Sequence, residues 1–196
     1  FSTIKEMLVN TEGKYGDGDA VRYKIGKDEI ESKTYTQLKE DSERFSNVLK
    51  ELGELGNHIA MVGMSSYTWL VTYLGTVNSG SVAVPLDVAL PTEEMCELVQ
   101  RSHATVFVID EMRKDVMAIV KERCPELKYV ISMQKTEETD GVLSFCQLMN
   151  AECAGFECDI QPDQLATIMF TSGTTGKSKG VMMSQKNLFA PLRHFL

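Results

Sequence analysis

The sequence predicts an α/β fold, a doubly wound and mostly parallel sheet with helices on both faces. Three observations predict it. Apolar segments of strand length at 58–64, 81–86, 104–109 and 129–133 alternate with segments whose apolar residues recur at helical spacing. The strand segments are apolar almost throughout, as strands buried on both faces are. A chain of 196 residues with 43% hydrophobic and 24% charged content can fill one core, as one domain or a piece of a larger one.

The chain opens with an amphipathic stretch that breaks at the Gly/Asp-rich segment 13–19. Two short strands are expected at 21–25 and 29–35, joined by a turn at Gly26, Lys27 and Asp28. Thr36 is expected to cap a helix with Leu38, Phe45, Val48, Leu49 and Leu52 inside, ended by Gly53. After the strand at 58–64, Ser66 caps a helix with Trp69, Leu70, Tyr73, Leu74 and Val77 on one face. The strand at 81–86 carries Pro85 and is followed by Asp87, for which a turn role outweighs a ligand role. Thr92 is expected to cap a third helix, with Glu93 and Glu94 in its positive first turn and Met95, Leu98 and Val99 inward. The strand at 104–109 precedes a helix with Met112, Val116, Ile119 and Val120 packed, and 129–133 is another strand. Residues 134–164 break the rhythm. They read as a solvated excursion with an acidic turn at 136–141 and a short helix at 145–149.

The apolar run 165–170 reads as a buried strand, and the composition then changes abruptly. Positions 171–181, T-S-G-T-T-G-K-S-K-G-V, hold three glycines, five hydroxyl side chains and two lysines. Glycines let the backbone turn sharply and approach a ligand, while successive N–H groups form an anion-binding concavity. Hydroxyls add donors, and Lys177 and Lys179 add positive charge. The chemistry suits a chain of phosphates. A surface linker needs neither the lysines nor the strand in front. The phosphate loop of NTPases, G-x-x-x-x-G-K-[ST], fails on spacing, because its first glycine would fall at Thr171.

This loop resembles the phosphate-binding signature of the adenylate-forming (AMP-binding) superfamily, T-S-G-T-T-G-x-P-K-G-V. That family includes acyl-CoA synthetases, peptide-synthetase adenylation domains and firefly luciferase. Ser178 stands where proline is usual, and Gln185 stands where histidine is frequent in the continuation 182–188. The segments 34–38, 63–69 and 80–87 are similar to the family's early part. The resemblance implies ATP-dependent activation of a carboxylic acid. The carboxylate attacks the α-phosphorus, giving an acyl-adenylate and pyrophosphate, and a thiol of coenzyme A or of carrier-protein pantetheine then takes the acyl group. It implies that Thr171, Ser172, Gly173, Thr174, Thr175, Gly176, Lys177, Lys179 and Gly180 bind the nucleotide, with Mg²⁺ sharing the phosphate charge. Lys179 matches the family's P-K-G lysine; Lys177 occupies a variable position.

The resemblance further implies that 1–196 is a single α/β unit, the first part of a larger N-terminal domain. The lysine essential for adenylation and its small C-terminal domain would then lie outside it, leaving no catalytic residue here and a unit inactive by itself. The start at Phe1 and the close at Leu196 fit that expectation. Within the family the wording around 84–87 and 143–145 leans towards a fatty-acid-type acyl-CoA ligase, with a peptide-synthetase adenylation domain as the alternative. A non-catalytic α/β nucleotide-binding module is the reading from another class.

The net charge of −8 argues against nucleic acid and anionic membranes as partners. No apolar run reaches the length of a membrane span. Five scattered cysteines without a C-x-x-C pair read as free thiols of a reducing cytoplasm. His58, His103 and His194 have no clustered partners that would mark a metal site, and no G-x-S-x-G elbow supports a serine hydrolase.

Overall fold

The computed structural model describes residues 1–25, 29–150, 155–171 and 178–191. Helix α1 (Ile4–Tyr15) is capped by Thr3, whose hydroxyl accepts from the Glu6 N–H. Strands β1 (Asp19–Lys24) and β2 (Ile30–Thr34) form a separate antiparallel pair. The turn expected at 26–28 lies outside the described residues.

Helix α2 (Tyr35–Glu51) begins two residues earlier than the expected Thr36 cap implies. Thr34 caps it, because a glutamine follows three positions later. The Gln37 N–H donates to Thr34 Oγ1 at 3.1 Å, and the Thr34 N–H donates to Gln37 Oε1 at 3.0 Å. This reciprocal pair is a capping box.

The main body alternates β3 (His58–Val62), α3 (Tyr67–Asn78), β4 (Val82–Leu86), α4 (Thr92–Arg101), β5 (Ala104–Ile109), α5 (Lys114–Arg123) and β6 (Tyr129–Ser132). Ser66 caps α3 as expected, accepting from the Trp69 N–H at 3.1 Å. Thr92 does not cap α4. It is the first helical residue behind Pro91, and its hydroxyl donates to the Asp115 carboxylate. Met112 is also not packed: it sits in a short 3-10 turn (Glu111–Arg113) ahead of α5 and is 56% exposed.

The excursion expected over 134–164 is only partly one. It contributes an edge strand β7 (Leu143–Ser144) and α6 (Phe145–Met149). Phe145 is buried against Phe45, ring centroids 5.5 Å apart, and Phe156 and Ile160 are buried too. These apolar residues are too few and too scattered to produce a period, so the sequence reads as surface there.

Strands β8 (Leu165–Thr171) and β9 (Lys179–Ser184) and helix α7 (Gln185–Leu188) complete the chain. The large sheet has the order β7-β6-β5-β3-β4-β8-β9. Its neighbours run parallel except β8 and β9, which are antiparallel. The Thr167 hydroxyl donates to the Ala83 carbonyl at 2.8 Å beside the Ala83–Thr167 register pair. That bond accounts for a buried threonine inside an apolar strand.

Strand side chains divide between two cores, since successive residues point to opposite faces. Ile59, Met61, Val106, Val108 and Ile131 pack with α1, α2 and α3, whereas Ala60, Val62, Val84, Phe107, Ile109 and Val130 pack with α4 and α5. The helices cover both faces, as the doubly wound reading requires. On the first face α2 and α3 meet closely at Gly75, whose carbonyl accepts from Ser46 Oγ at 2.8 Å. Gln185 is wholly buried, donating to the Val77 carbonyl and accepting from the Ile4 N–H. It ties α7 to α3 and α1, a packing role. Among the described residues no helix is long and apolar enough to cross a membrane.

At the opposite end of the sheet from the candidate site, Glu54 is 1% exposed. Lys128 Nζ and Asn57 Nδ2 each donate to it at 2.8 Å, and Thr105 Oγ1 donates at 2.5 Å. Burial raises the carboxyl pKa, but the hydrogen bonds from Lys128, Thr105 and Asn57 outweigh it and hold the group below the usual range. A carboxyl depressed in the folded state contributes stability above its unfolded pKa, and that contribution is lost as pH falls through the folded value. Glu54→Gln should therefore cost about 2 kcal/mol at neutral pH and less as the solution is acidified. Urea unfolding of both proteins at pH 7 and pH 4 measures this; a cost that does not shrink on acidification contradicts the assignment.

Candidate phosphate-binding site

Strand β8 carries Ala166, Thr167 and Ile168 into the core, and its last residues rise out of it: Met169 is 43% exposed and Thr171 is exposed. It turns back into β9, with Phe170 paired to Gly180 and Thr171 to Lys179. The expected phosphate loop is thus the connection of an antiparallel hairpin. It leaves the carboxyl end of β8, which runs parallel to β4 at the end of an open sheet where such folds bind ligands. Ser172, Gly173, Thr174, Thr175, Gly176 and Lys177 lie outside the described residues. Thr171, Ser178, Lys179 and Gly180 form the described base.

Each base residue has a distinct environment. Lys179 is exposed, and its side chain makes no hydrogen bond or ion pair among the described residues, so its ammonium is free to meet an anion. Gly180 has a packing reason to be glycine: an added Cβ would lie 3.1 Å from Ile168 Cγ2 and 3.4 Å from Phe170 Cε1. Ser178 is held from α4. Its carbonyl accepts from Arg101 Nη2 at 2.8 Å, and its hydroxyl donates to Glu94 Oε1 at 3.2 Å. The Arg101 guanidinium also lies 5.6 Å above the centre of the Phe170 ring.

Nothing local in the sequence links Arg101 or Glu94 to the hairpin. They stand 77 and 84 residues from Ser178, and in a helical segment they look like ordinary solvated charges.

A groove of about 560 Å³ beside this base is lined by Glu93, Glu94, Glu97, Arg101, Arg123 and Ser178. Its three carboxylates repel phosphate oxygens, and Arg101 and Arg123 offset only part of that charge. The neighbouring β4–α4 connection is held by hydrogen bonds. Asp87 Oδ1 accepts from the Ala89 N–H at 2.9 Å, which gives Asp87 the expected turn role. Arg113 donates to the Val88 and Leu90 carbonyls, both at 2.8 Å, and lies beside Asp115.

The other candidate groups have ordinary partners. His58 Nδ1 meets the Ser102 carbonyl, and His103 pairs with Glu126 at 3.1 Å; His194 lies outside the described residues. Cys96, Cys124, Cys146 and Cys158 are free thiols. Burial pushes the Cys124 thiol up to about 11 and raises Cys96 as well, so neither is a thiolate nucleophile at neutral pH. Among the described residues no group of three His, Cys, Asp or Glu could hold a metal ion.

Comparison with known proteins covers nearly the whole chain. The chain is 27% identical over 198 residues to a long-chain-fatty-acid–CoA ligase of Xenopus laevis, covering 95% of this chain and 26% of that protein. It is 26% identical over 196 residues to a crotonobetaine/carnitine–CoA ligase of Salmonella enteritidis, covering 94% of this chain and 37% of that one. The chain therefore spans between about a quarter and a little over a third of these relatives. The fold matches the acetoacetyl-CoA synthetase of Streptomyces lividans with a TM-score of 0.86 at 21% identity, over 95% of this chain and 31% of that structure. It also matches an anthranilate–CoA ligase bound to anthranoyl-AMP with a TM-score of 0.80 at 21% identity, over 97% of this chain and 36% of that one. The model of the AMP-binding enzyme family matches residues 10–195, and the chain belongs to that family.

Proposed function

We propose that the β8–β9 connection holds the β- and γ-phosphates of ATP in a protein that joins a carboxylic acid to a thiol through an acyl-adenylate. The observation that carries this reading is the base of the connection. An exposed Lys179, whose ammonium has no partner among the described residues, stands opposite Thr171 at the carboxyl end of β8, with the family's glycine- and hydroxyl-rich signature between them. In the first step the substrate carboxylate forms a bond to the α-phosphorus while the bond to pyrophosphate breaks. In the second a thiol takes the acyl group and AMP leaves. Such chemistry needs positioning and charge stabilisation more than a protein nucleophile.

The chain's own part is then to bind and orient the triphosphate. The Lys179 ammonium neutralises charge, and the N–H groups and hydroxyls of the signature donate to phosphate oxygens. A magnesium ion bound with the nucleotide would share the charge of the phosphates. The family's other elements belong to chain beyond the part described here, which is one α/β unit of a larger enzyme.

Coenzyme A as acceptor is supported by the curated relatives, both of them CoA ligases. A fatty acid as substrate is supported by the first of them, and the second marks a short polar acid as the competing class. Product analysis on the whole protein tests the reading: incubation with ATP, coenzyme A and an acid panel should yield AMP and pyrophosphate in step with acyl-CoA. ADP and inorganic phosphate as products would overturn it in favour of a hydrolytic nucleotide-binding protein.

A further inference from the structure

We propose that Arg101 is a positioning residue for the phosphate-binding hairpin and that Glu94 is its second arm. The inference rests on the phosphate reading of that hairpin and extends it to α4. Residues 94, 97 and 101 share one helical face, being three and four positions apart. Arg101 touches both sides of the hairpin at once: it donates to the Ser178 carbonyl at 2.8 Å and covers the Phe170 ring of β8 at 5.6 Å. Glu94 accepts from the Ser178 hydroxyl at 3.2 Å, and Glu97 steadies the guanidinium at 3.6 Å.

The consequence follows from peptide geometry. The carbonyl of residue 178 and the N–H of residue 179 belong to one rigid plane. Pinning that carbonyl to a guanidinium sets the direction in which Lys179 enters β9 and hence where its ammonium begins. The Phe170 contact fixes the partner strand opposite Gly180, so the two sides of the hairpin are held in register from outside the sheet. Arginine suits this task better than lysine. Its planar fork donates to a carbonyl and lies over a ring simultaneously, whereas an ammonium does one or the other.

Whole-protein variants test the proposal through the two half-reactions. Arg101→Ala should lower kcat/KM for ATP in adenylate formation by about tenfold to a hundredfold, the size of loss that a displaced binding group produces. Thioester formation from preformed acyl-adenylate should be unchanged, and Tm should move by no more than about 4 °C. Arg101→Lys should recover only part of the activity, and Ser178→Ala should show a smaller defect confined to the same step.

An equal loss in both half-reactions would mean a general structural role and would overturn the proposal. Full recovery with Arg101→Lys would also overturn it, by showing that charge alone is needed. An unchanged Arg101→Ala alongside an impaired Lys179→Ala would overturn the positioning role while leaving the phosphate reading intact. Unchanged ATP kinetics in both would remove the two together.

Discussion

Lys179→Ala is expected to lower ATP-dependent acyl activation by about a hundredfold to a thousandfold, the usual loss when one preorganised charge-stabilising donor is removed. The effect should fall on function and not on folding. Lys179 is exposed and has no partner among the described residues, so truncation leaves no buried group unsatisfied. Its stability cost should stay within about 0.5 kcal/mol, as for surface positions generally. Lys179→Arg should retain part of the activity, because it keeps the charge with a different reach and hydration. Steady-state kinetics with varied ATP, paired with a thermal unfolding curve for each variant, provide the check. A large fall in Tm together with lost activity would mean that the lysine is structural.

Gly75→Ala is expected to destabilise the fold by about 3 kcal/mol, near the upper end for an overpacked core. On propensity alone the sign would be the opposite, since alanine in a helix interior is favoured over glycine by about 1 kcal/mol. The contact between helices decides it. A Cβ at Gly75 would lie 2.7 Å from the Ser42 carbonyl oxygen and 2.8 Å from Phe45 Cβ, both backbone or close to it and neither able to swing away. Relief requires α3 to move off α2, which strains the bond from Ser46 Oγ to the Gly75 carbonyl and the bond from Asn78 Nδ2 to Ser46 Oγ. Phe45 and Leu49 of α2 would lose contact in the same movement. In a chain of this size the loss corresponds to a Tm lower by roughly 6–12 °C. Calorimetry measures it, and a Tm equal to or above that of the parent would refute the close-packing account.

Much of this architecture can be read from residues because the strands are buried on both faces. Ile59 to Val62 and Val106 to Ile109 are wholly buried, and no polar residue interrupts either run. What cannot be read is order: nothing in the residues places β8 beside β4 or makes β3 central, since that depends on which crossovers bury both faces best. Strand β9 is hidden in the sequence because its first residues belong to the motif at 171–181. Its burial is low along most of its length, and with a glycine second it lacks the run of inward residues that marks a strand. Caps are hard to place where a hydroxyl has a rival or another partner. The glutamine three residues beyond Thr34 was the deciding signal at α2, and at α4 Asp115 claimed the Thr92 hydroxyl from a different helix. The site divides the same way. The chemistry of its loop is local and visible in composition, whereas Arg101 and Glu94 become neighbours of Ser178 only through the fold.

The account stands most directly on acid-dependent ATP–pyrophosphate exchange, measured on the whole protein with a panel of fatty, aryl and amino acids. Reversible adenylate formation predicts that labelled pyrophosphate enters ATP only when a cognate acid is present and without coenzyme A, with the rate cut by Lys179→Ala. Exchange that needs no acid, or its absence with every acid while the protein still binds ATP, would contradict adenylate formation and leave the hairpin as a nucleotide-binding module.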